Sequence, residues 1–466
     1  MSEVGGPTQQ GDGLKRCVEK MKAAGSNSAA IEAFSHYYRL CQQGETGIIP
    51  EDSIRPLLDP PRLDSVDVPE QAAHSALAQT VMMRLNGGLG TSMGLEGAKT
   101  LLPVREGKNF LDLIVEQVLW MRRSHGVRLP LIFMNSFRTQ ADTLAHLARY
   151  PELPVAGLPL DFLQNRIPKL WAHDLIPADW PPDRSLEWCP PGHGDIYTAL
   201  WDSGLVDALL AQGFKYLNIA NGDNLGAAPD ARLAGWFAQS GAPYAAEVCT
   251  RTPNDRKGGH LAIRKSDDRL ILRDSAQTTD KDQRFFQDEH VHPYFHANNL
   301  WLDLEQLRRM LLERGGVLGL PLIRNEKNID PTTPGSPRVV QLESAMGAAV
   351  EVFEGAQAIA VGRDRFLPVK TTNELLLLRS DVFELAADGR LRATAAIPEV
   401  DLAPKYYRLV DDFDSRIRVV PSLHEATSLV VRGDWVFDRP GRVVGDLMLP
   451  ETGAPSRFSN WRTRDE

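Results

Sequence analysis

RLNGGLGTSMGLEGAKTLLP, residues 84–103, continues the apolar run VMMRL (81–85) and sets five glycines ahead of Lys99. An apolar run of that length reads as a strand, and glycines at this density let backbone N–H groups approach a polyphosphate closely. Two familiar loops fail by one residue each. A Walker A loop needs Gly and Lys adjacent, but Ala98 separates Gly97 from Lys99; the dinucleotide fingerprint needs G-x-G-x-x-G, whereas Gly88, Gly90 and Gly94 give G-x-G-x-x-x-G. The segment therefore reads as a phosphate-binding loop of another kind, with a tight turn as the plainer alternative.

Working outward, short apolar runs (LPLIFM, 129–134; YLNIA, 216–220) alternate with longer helical patterns, which predicts βαβ units and a mostly parallel sheet. NFLDLIVEQVLWMRRSHG (109–126) puts Phe110, Leu113, Ile114, Val118 and Met121 on one helical stripe, with Asn109 as N-cap and Gly126 as stop. QLESAMGAAVEVFEG (341–355) reads as another helix on the spacing of Leu342, Ala345, Met346, Ala349, Val350 and Phe353. Upstream, LKRCVEKMKAAG and SAAIEAFSHYYRLCQQG read as helices, and the Pro-rich IRPLLDPPRLDSVDVPE (54–70) as a connector. Downstream, RIRVV, TSLVVRG, DWVFD and RVVGDLML read as strands, and the last dozen residues as frayed. The expected organisation is a helical N-terminal segment (1–78), an α/β domain (79–385) and a small C-terminal β domain (386–466).

With 466 residues the chain can hold two to four domains at ~100–200 residues each, and a deep cleft. Its 61 acidic against 52 basic residues, net charge -9, argue against a nucleic-acid partner. No apolar run approaches the ~18 residues that span a bilayer, and the start MSEVGGPTQQGDG has no apolar signal core, so neither a membrane nor secretion is expected. Cys17, Cys41, Cys189 and Cys249 match neither a zinc spacing nor a disulfide framework and read as reduced thiols of a cytoplasmic protein.

Other segments carry single chemical groups. IANGDNLG puts Asp223 at the end of a strand, where open α/β sheets bind ligands; one carboxylate beside substrate phosphates suits Mg²⁺, and capping of the next turn is the alternative. WCPPGHGDIY sets His193 between glycines behind a rigid Pro-Pro, free to face a base or sugar or to be a satisfied loop histidine. Lys370, after Pro368 in RFLPVKTT, would alone be a solvated lysine. DEHVHPYFH offers His290, His292 and His296, but Pro293 interrupts the run, and solvated loop histidines are the expectation rather than a metal site.

G-G-x-G-T-x-x-G ending in a lysine resembles the signature of nucleoside-diphosphate-sugar pyrophosphorylases, and LNGGLGTSMG resembles the eukaryotic-type UTP-glucose-1-phosphate uridylyltransferases. MNSFRTQADT, LQNRIPKL, WCPPGHGDIYTAL, IANGDNLGA, RKGGHLAI, ANNLW and FLPVKTTNELLLL match in order, covering about residues 80–385. Ala98 stands where the family usually has Pro, and Asp274 where it usually has Glu. The resemblance implies a Rossmann-like nucleotidyltransferase domain with a C-terminal β-helix, and an activity that joins UTP to glucose 1-phosphate, giving UDP-glucose and pyrophosphate. It implies UTP contacts from Leu85, Asn86, Gly87, Gly88, Lys99, Gln164, Gly192, Asn221 and Lys370, with Gln164 and Gly192 on the uracil. Sugar-phosphate contacts fall to His193, Asn221, Gly258, Asp274 and Asn298, metal binding to Asp223, and catalysis to Lys99 and Lys370. Galactose, N-acetylglucosamine or glucuronate 1-phosphate are alternative sugars, and a non-catalytic sugar-nucleotide sensor or a P-loop-like kinase are alternative functions. A monomer or homodimer is expected.

Overall fold

The computed structural model describes residues 10–252, 255, 258–333 and 335–458. Strand β1, Thr80–Asn86, is buried at every position but Leu85, the continuous apolar run of a strand covered on both faces. It pairs in parallel with β2, Leu131–Asn135, in the register Met82↔Leu131 to Asn86↔Asn135. Five more strands follow along the chain: β3, Asp161–Leu163; β4, Tyr216–Asn221; β5, Tyr244–Thr250; β6, Tyr294–Asp303; and β7, Gln357–Val361. The seven-stranded sheet has the order β7-β5-β6-β4-β1-β2-β3. Strand β6 runs antiparallel to both β4 and β5, while β5 and β7 are parallel. The molecule is thus a mixed α/β protein with a large, mostly parallel sheet.

The helix Phe110–His125 forms where its local signals lie: Asn109 and Asp112 make a reciprocal capping box, and Gly126 ends it at φ 64°. The helix Ser28–Gln42, capped by the Asn27 side chain, buries Ala30, Phe34, Tyr37, Tyr38 and Cys41 at three- and four-residue spacing. With Cys17 and Met21 these residues share one core with Ile167, Leu170, Cys189, Val340 and Leu342. The four cysteines are buried, and none is in a disulfide among the described residues.

Described residues fall into two compact units, each assembled from separated segments: the first from residues up to Val81, Asp161–Ile219 and Ala231–Val361, the second from Met82–Leu160, Ala220–Asp230 and Gly362 onward. Within the second unit, Glu399–Leu402, Ser422–Val431 and Arg442–Leu449 form a three-stranded parallel sheet. No helix among the described residues is long and apolar enough to cross a membrane.

Four expectations are corrected. Residues 341–355 are not a helix: Arg338–Glu343 is a strand paired on both sides, to Ile323–Asn328 and to Leu170–Trp171, followed by the 3-10 helix Met346–Glu351. Pairing on both edges satisfies the backbone of 338–343 and overrides a periodicity that Gly347 already weakens. RIRVV is not a strand, because Arg416 ends the helix Val410–Arg416 and only Ile417 bridges, to Phe437. The Pro-rich connector contains a strand, Ile54–Pro56, on the edge of a small sheet, where proline is tolerated. Of the expected frayed end, Ser456–Arg457 pairs with Trp435–Val436; residues from 459 onward, like residues 1–9 of the polar start, lie outside the described residues.

Candidate active site

In the second unit the carboxyl ends of β1 and β4 meet: the Gly222 N–H donates to the Leu85 carbonyl at 2.9 Å. That puts Leu85, Asn86, Gly87 and Gly88 on one side and Asn221 and Asp223 on the other. The glycine-rich loop folds back, with the Lys99 N–H on the Gly88 carbonyl at 3.2 Å, and Lys99 begins the 3-10 turn Lys99–Leu101. Lys99 Nζ lies 2.6 Å from Asp223 Oδ2, both side chains about four-fifths buried, at 18% and 21% exposure. Asn86 is itself buried. Its Nδ2 donates to Asn135 Oδ1 and Thr143 Oγ1 at 2.7 and 2.8 Å, and its Oδ1 accepts from Thr100 Oγ1 at 2.5 Å. The Asn86 side chain therefore anchors the residue next to Lys99 rather than facing outward.

Lys370 reaches the same corner through a clamp that sequence reasoning missed. Asn224, buried, accepts from the N–H groups of Leu367 and Gly226 at 2.8 and 3.1 Å and donates to the Arg365 carbonyl at 3.2 Å. This holds segment 365–369 against the turn, and the Val369 N–H donates to the Asp223 carbonyl at 3.3 Å. Lys370 follows directly, its side chain exposed and its Nζ 5.9 Å from the Phe366 ring centroid.

The remaining candidates lie in the first unit. Gln164 follows β3, and its neighbour Asn165 binds Asp195 twice, backbone N–H to Oδ2 at 2.6 Å and Nδ2 to Oδ1 at 2.9 Å. Burial pushes the Asp195 carboxyl up to about 6 against these bonds. Asp195, a second residue given no role from the sequence, ties the Gln164 segment to the loop that carries Gly192 and His193. Gly192 sits at φ 79°, and a Cβ there would come 2.4 Å from the Ser344 carbonyl oxygen, so only glycine fits. His193 Nδ1 accepts from the Met346 N–H at 2.9 Å, which leaves the proton of the neutral ring on Nε2.

Gly258 has its carbonyl held by Arg251 Nη2 at 2.6 Å. Asp274 caps the turn Ser275–Gln277 in a reciprocal box with Gln277, and its negative charge acts on His193. Asn298 adopts φ 57° where β6 bulges, running from His296 to Leu300 while β5 advances only from Val248 to Ala246. A left-handed non-glycine residue at a bulge re-aims its side chain, and such strain is characteristic of binding sites.

The histidine cluster differs from expectation. His290 is exposed, but His292 and His296 are buried rather than solvated. His292 is hydrogen-bonded to Glu51 at 3.0 Å and stacked on buried His260 with ring centroids 3.9 Å apart. Glu51 lies far away in sequence, so nothing local signals this burial. Among the described residues no group of three or more His, Cys, Asp or Glu is arranged to hold a metal ion. The single carboxylate of Asp223, with one oxygen on Lys99, fits a cation only if substrate oxygens complete its shell, the manner in which Mg²⁺ is usually held.

Strand ends that present a glycine-rich loop, a lysine and a carboxylate have the chemistry that suits a phosphate-bearing ligand. The family model described as UTP-glucose-1-phosphate uridylyltransferase matches residues 31–443. The enzyme of that name from Solanum tuberosum is 35% identical over 399 residues, 84% of this chain and 79% of its own length. That from Saccharomyces cerevisiae is 37% identical over 381 residues, 80% and 74% respectively. Among solved structures, UDP-glucose phosphorylase from Trypanosoma brucei superposes with a TM-score of 0.90 at 40% identity, covering 97% of this chain and 98% of that one. A point mutant of the Leishmania major UDP-glucose pyrophosphorylase in complex with UDP-glucose also gives 0.90, at 40% identity and 96% and 97% coverage. This chain belongs to the UTP-glucose-1-phosphate uridylyltransferase family.

Proposed function

We propose that the chain carries out its family's reaction, UTP plus glucose 1-phosphate giving UDP-glucose and pyrophosphate, by direct in-line attack. An oxygen of the sugar phosphate bonds to the α-phosphorus of UTP as the bond from that phosphorus to the bridging oxygen breaks, and pyrophosphate leaves with the electron pair. The attacking oxygen is already anionic, so no general base is needed. Catalysis is then positioning and charge neutralisation. The observation that carries this reading is the corner where Lys99 pairs with Asp223 and the Lys370 segment hangs on the Asp223 carbonyl.

In this reading Lys99 neutralises the departing β- and γ-phosphates and Lys370 the α-phosphate and the incoming sugar phosphate. Mg²⁺, held by Asp223 and substrate oxygens, would supply further charge neutralisation at the α-phosphate. The strand-end residues Leu85, Asn86, Gly87, Gly88 and Asn221 face UTP, with Asn86 contributing through its backbone. Gln164 and the Gly192 backbone hydrogen-bond uracil, while Pro190 and Pro191 stiffen the loop against a purine. His193, Asn221, Gly258, Asp274 and Asn298 hold the sugar phosphate.

The same proposal covers the architecture: a Rossmann-like catalytic domain over 79–385, preceded by the helical segment 1–78 and followed by a β-helix-like domain over 386–466. Parallel pairing of successive C-terminal strands supports the β-helix. The protein is taken as a cytoplasmic monomer or homodimer. The decisive experiment incubates UTP labelled on the α-phosphate with a panel of hexose 1-phosphates, and repeats it with ATP and GTP. Label moving into UDP-glucose with pyrophosphate release, and a strong preference for UTP, is the expected result. Release of γ-phosphate alone would overturn the assignment, and faster transfer to another hexose would overturn glucose as the substrate.

A further inference from the structure

His296 is the point through which the sugar-facing residues of the first unit are joined. Its Nδ1 accepts from the Asn298 N–H at 3.2 Å, and its own backbone N–H donates to the Gly259 carbonyl at 2.8 Å, next to Gly258. Gly347 lies against the ring: a Cβ there would stand 2.7 Å from Cε1 and 3.2 Å from Nε2. The residue before it, Met346, gives its N–H to His193. One imidazole thus touches the backbone of Asn298 and packs on the turn that orients His193.

The protonation of this ring is fixed by its partner. A backbone N–H can only donate, so Nδ1 must be the acceptor and the neutral ring carries its proton on Nε2. Burial, with a smaller contribution from the charge of His193, pushes the pKa to about 3, so the ring stays neutral at any working pH. Yet Nε2 is buried with no hydrogen-bond partner among the described residues. An orphaned buried donor destabilises a fold, and a leucine of similar size would avoid it. The imidazole is therefore poorly explained by stability, while its other nitrogen holds the left-handed backbone of Asn298.

We propose that His296 is a positioning residue for sugar recognition, which sets the Asn298 carboxamide by accepting its backbone N–H at the β6 bulge and costs the fold stability in doing so. This rests on the uridylyltransferase reading of the site. The test compares the wild-type enzyme with His296→Leu and His296→Asn, by steady-state kinetics in both substrates and by thermal melting. Leucine removes both nitrogens; asparagine keeps an oxygen at the position of Nδ1 and can again accept from Asn298. His296→Leu should melt at or above the wild-type temperature while raising KM for glucose 1-phosphate about tenfold, the weight of about one hydrogen bond, with KM for UTP within about twofold. His296→Asn should recover most of that loss. The proposal is overturned if His296→Leu leaves KM for glucose 1-phosphate within twofold of wild type, if both KM values and the melting temperature worsen together, or if asparagine rescues nothing. Should leucine fail to fold, the asparagine variant still decides, since a KM for glucose 1-phosphate raised as far as that for UTP would overturn the role. The wild-type rate with glucose 1-phosphate separately tests the reading beneath it.

Discussion

At the scale of single residues the two lysines of the candidate site live in different surroundings, and this separates their expected roles. Lys99 is held by Asp223 and by a turn anchored through Asn86, so it is preorganised before any ligand arrives. Lys370 is exposed, with its Nζ 5.9 Å from the Phe366 ring centroid, so its charge is available to a group that develops during the reaction. A charge used in the transition state acts on turnover more than on ground-state affinity. Lys370→Ala should therefore lower kcat by about a thousand-fold while KM for UTP stays within about threefold, measured by pyrophosphate release. Near-wild-type turnover would exclude it from catalysis. Asp223→Asn removes both the partner of Lys99 and the carboxylate proposed to meet a cation. Activity should need added Mg²⁺ or Mn²⁺ and mostly vanish in the variant; full activity of desalted enzyme in EDTA would refute the metal assignment.

At the scale of elements, the site depends on how the turn after β4 is fastened to segment 365–369. Asn224→Ala would strip the buried N–H groups of Leu367 and Gly226 and the Arg365 carbonyl of their partner. Stability should fall by about 2 kcal/mol, and kcat should fall at least tenfold, because Lys370 loses its fixed approach to Asp223. Asn224→Asp, which keeps the acceptor, should retain more of both, as a melt and a turnover assay would register. This clamp marks the limit of what the sequence discloses. Strands β1, β2 and β4 and the helix Phe110–His125 were legible because their signals are local: continuous apolar runs, a capping box, a stop glycine. Asn224 and Asp195 stand inside the very motifs that point to the site, but their partners lie elsewhere in the chain, so no spacing reveals them. The strand Arg338–Glu343 was misread because pairing on both edges, which a sequence does not display, outweighed a helical period. Buried His292 was misread for the same reason, its Glu51 partner being 241 residues away.

At the scale of the whole molecule, the buried histidines predict how stability responds to acid. Burial holds His260, His292 and His296 below the usual imidazole range, His296 at about 3. In the unfolded chain each would titrate near 6.5. Because the folded-state value is the lower one, the unfolded chain takes up the proton first as pH falls, and stability present above about pH 6.5 is lost on acidification. Between pH 7.5 and 6.0 His296 alone removes about 0.8 kcal/mol, and His260 and His292 act in the same direction. Asp195 and Asp202 act in the opposite sense: burial raises both to about 6, so the folded chain binds their protons first and regains stability as pH drops through that value. At pH 6.0 the two carboxyls together return about as much as His296 removes, and the further loss from His260 and His292 makes the net effect a loss. Thermal melting should show a lower midpoint at pH 6.0 than at pH 7.5. His296→Leu should shrink that difference, whereas Asp195→Asn should widen it. A melting midpoint that does not change between the two pH values would mean that these imidazoles reach water in the folded protein, and with it the hydrogen-bonded arrangement around Asn298 would fail.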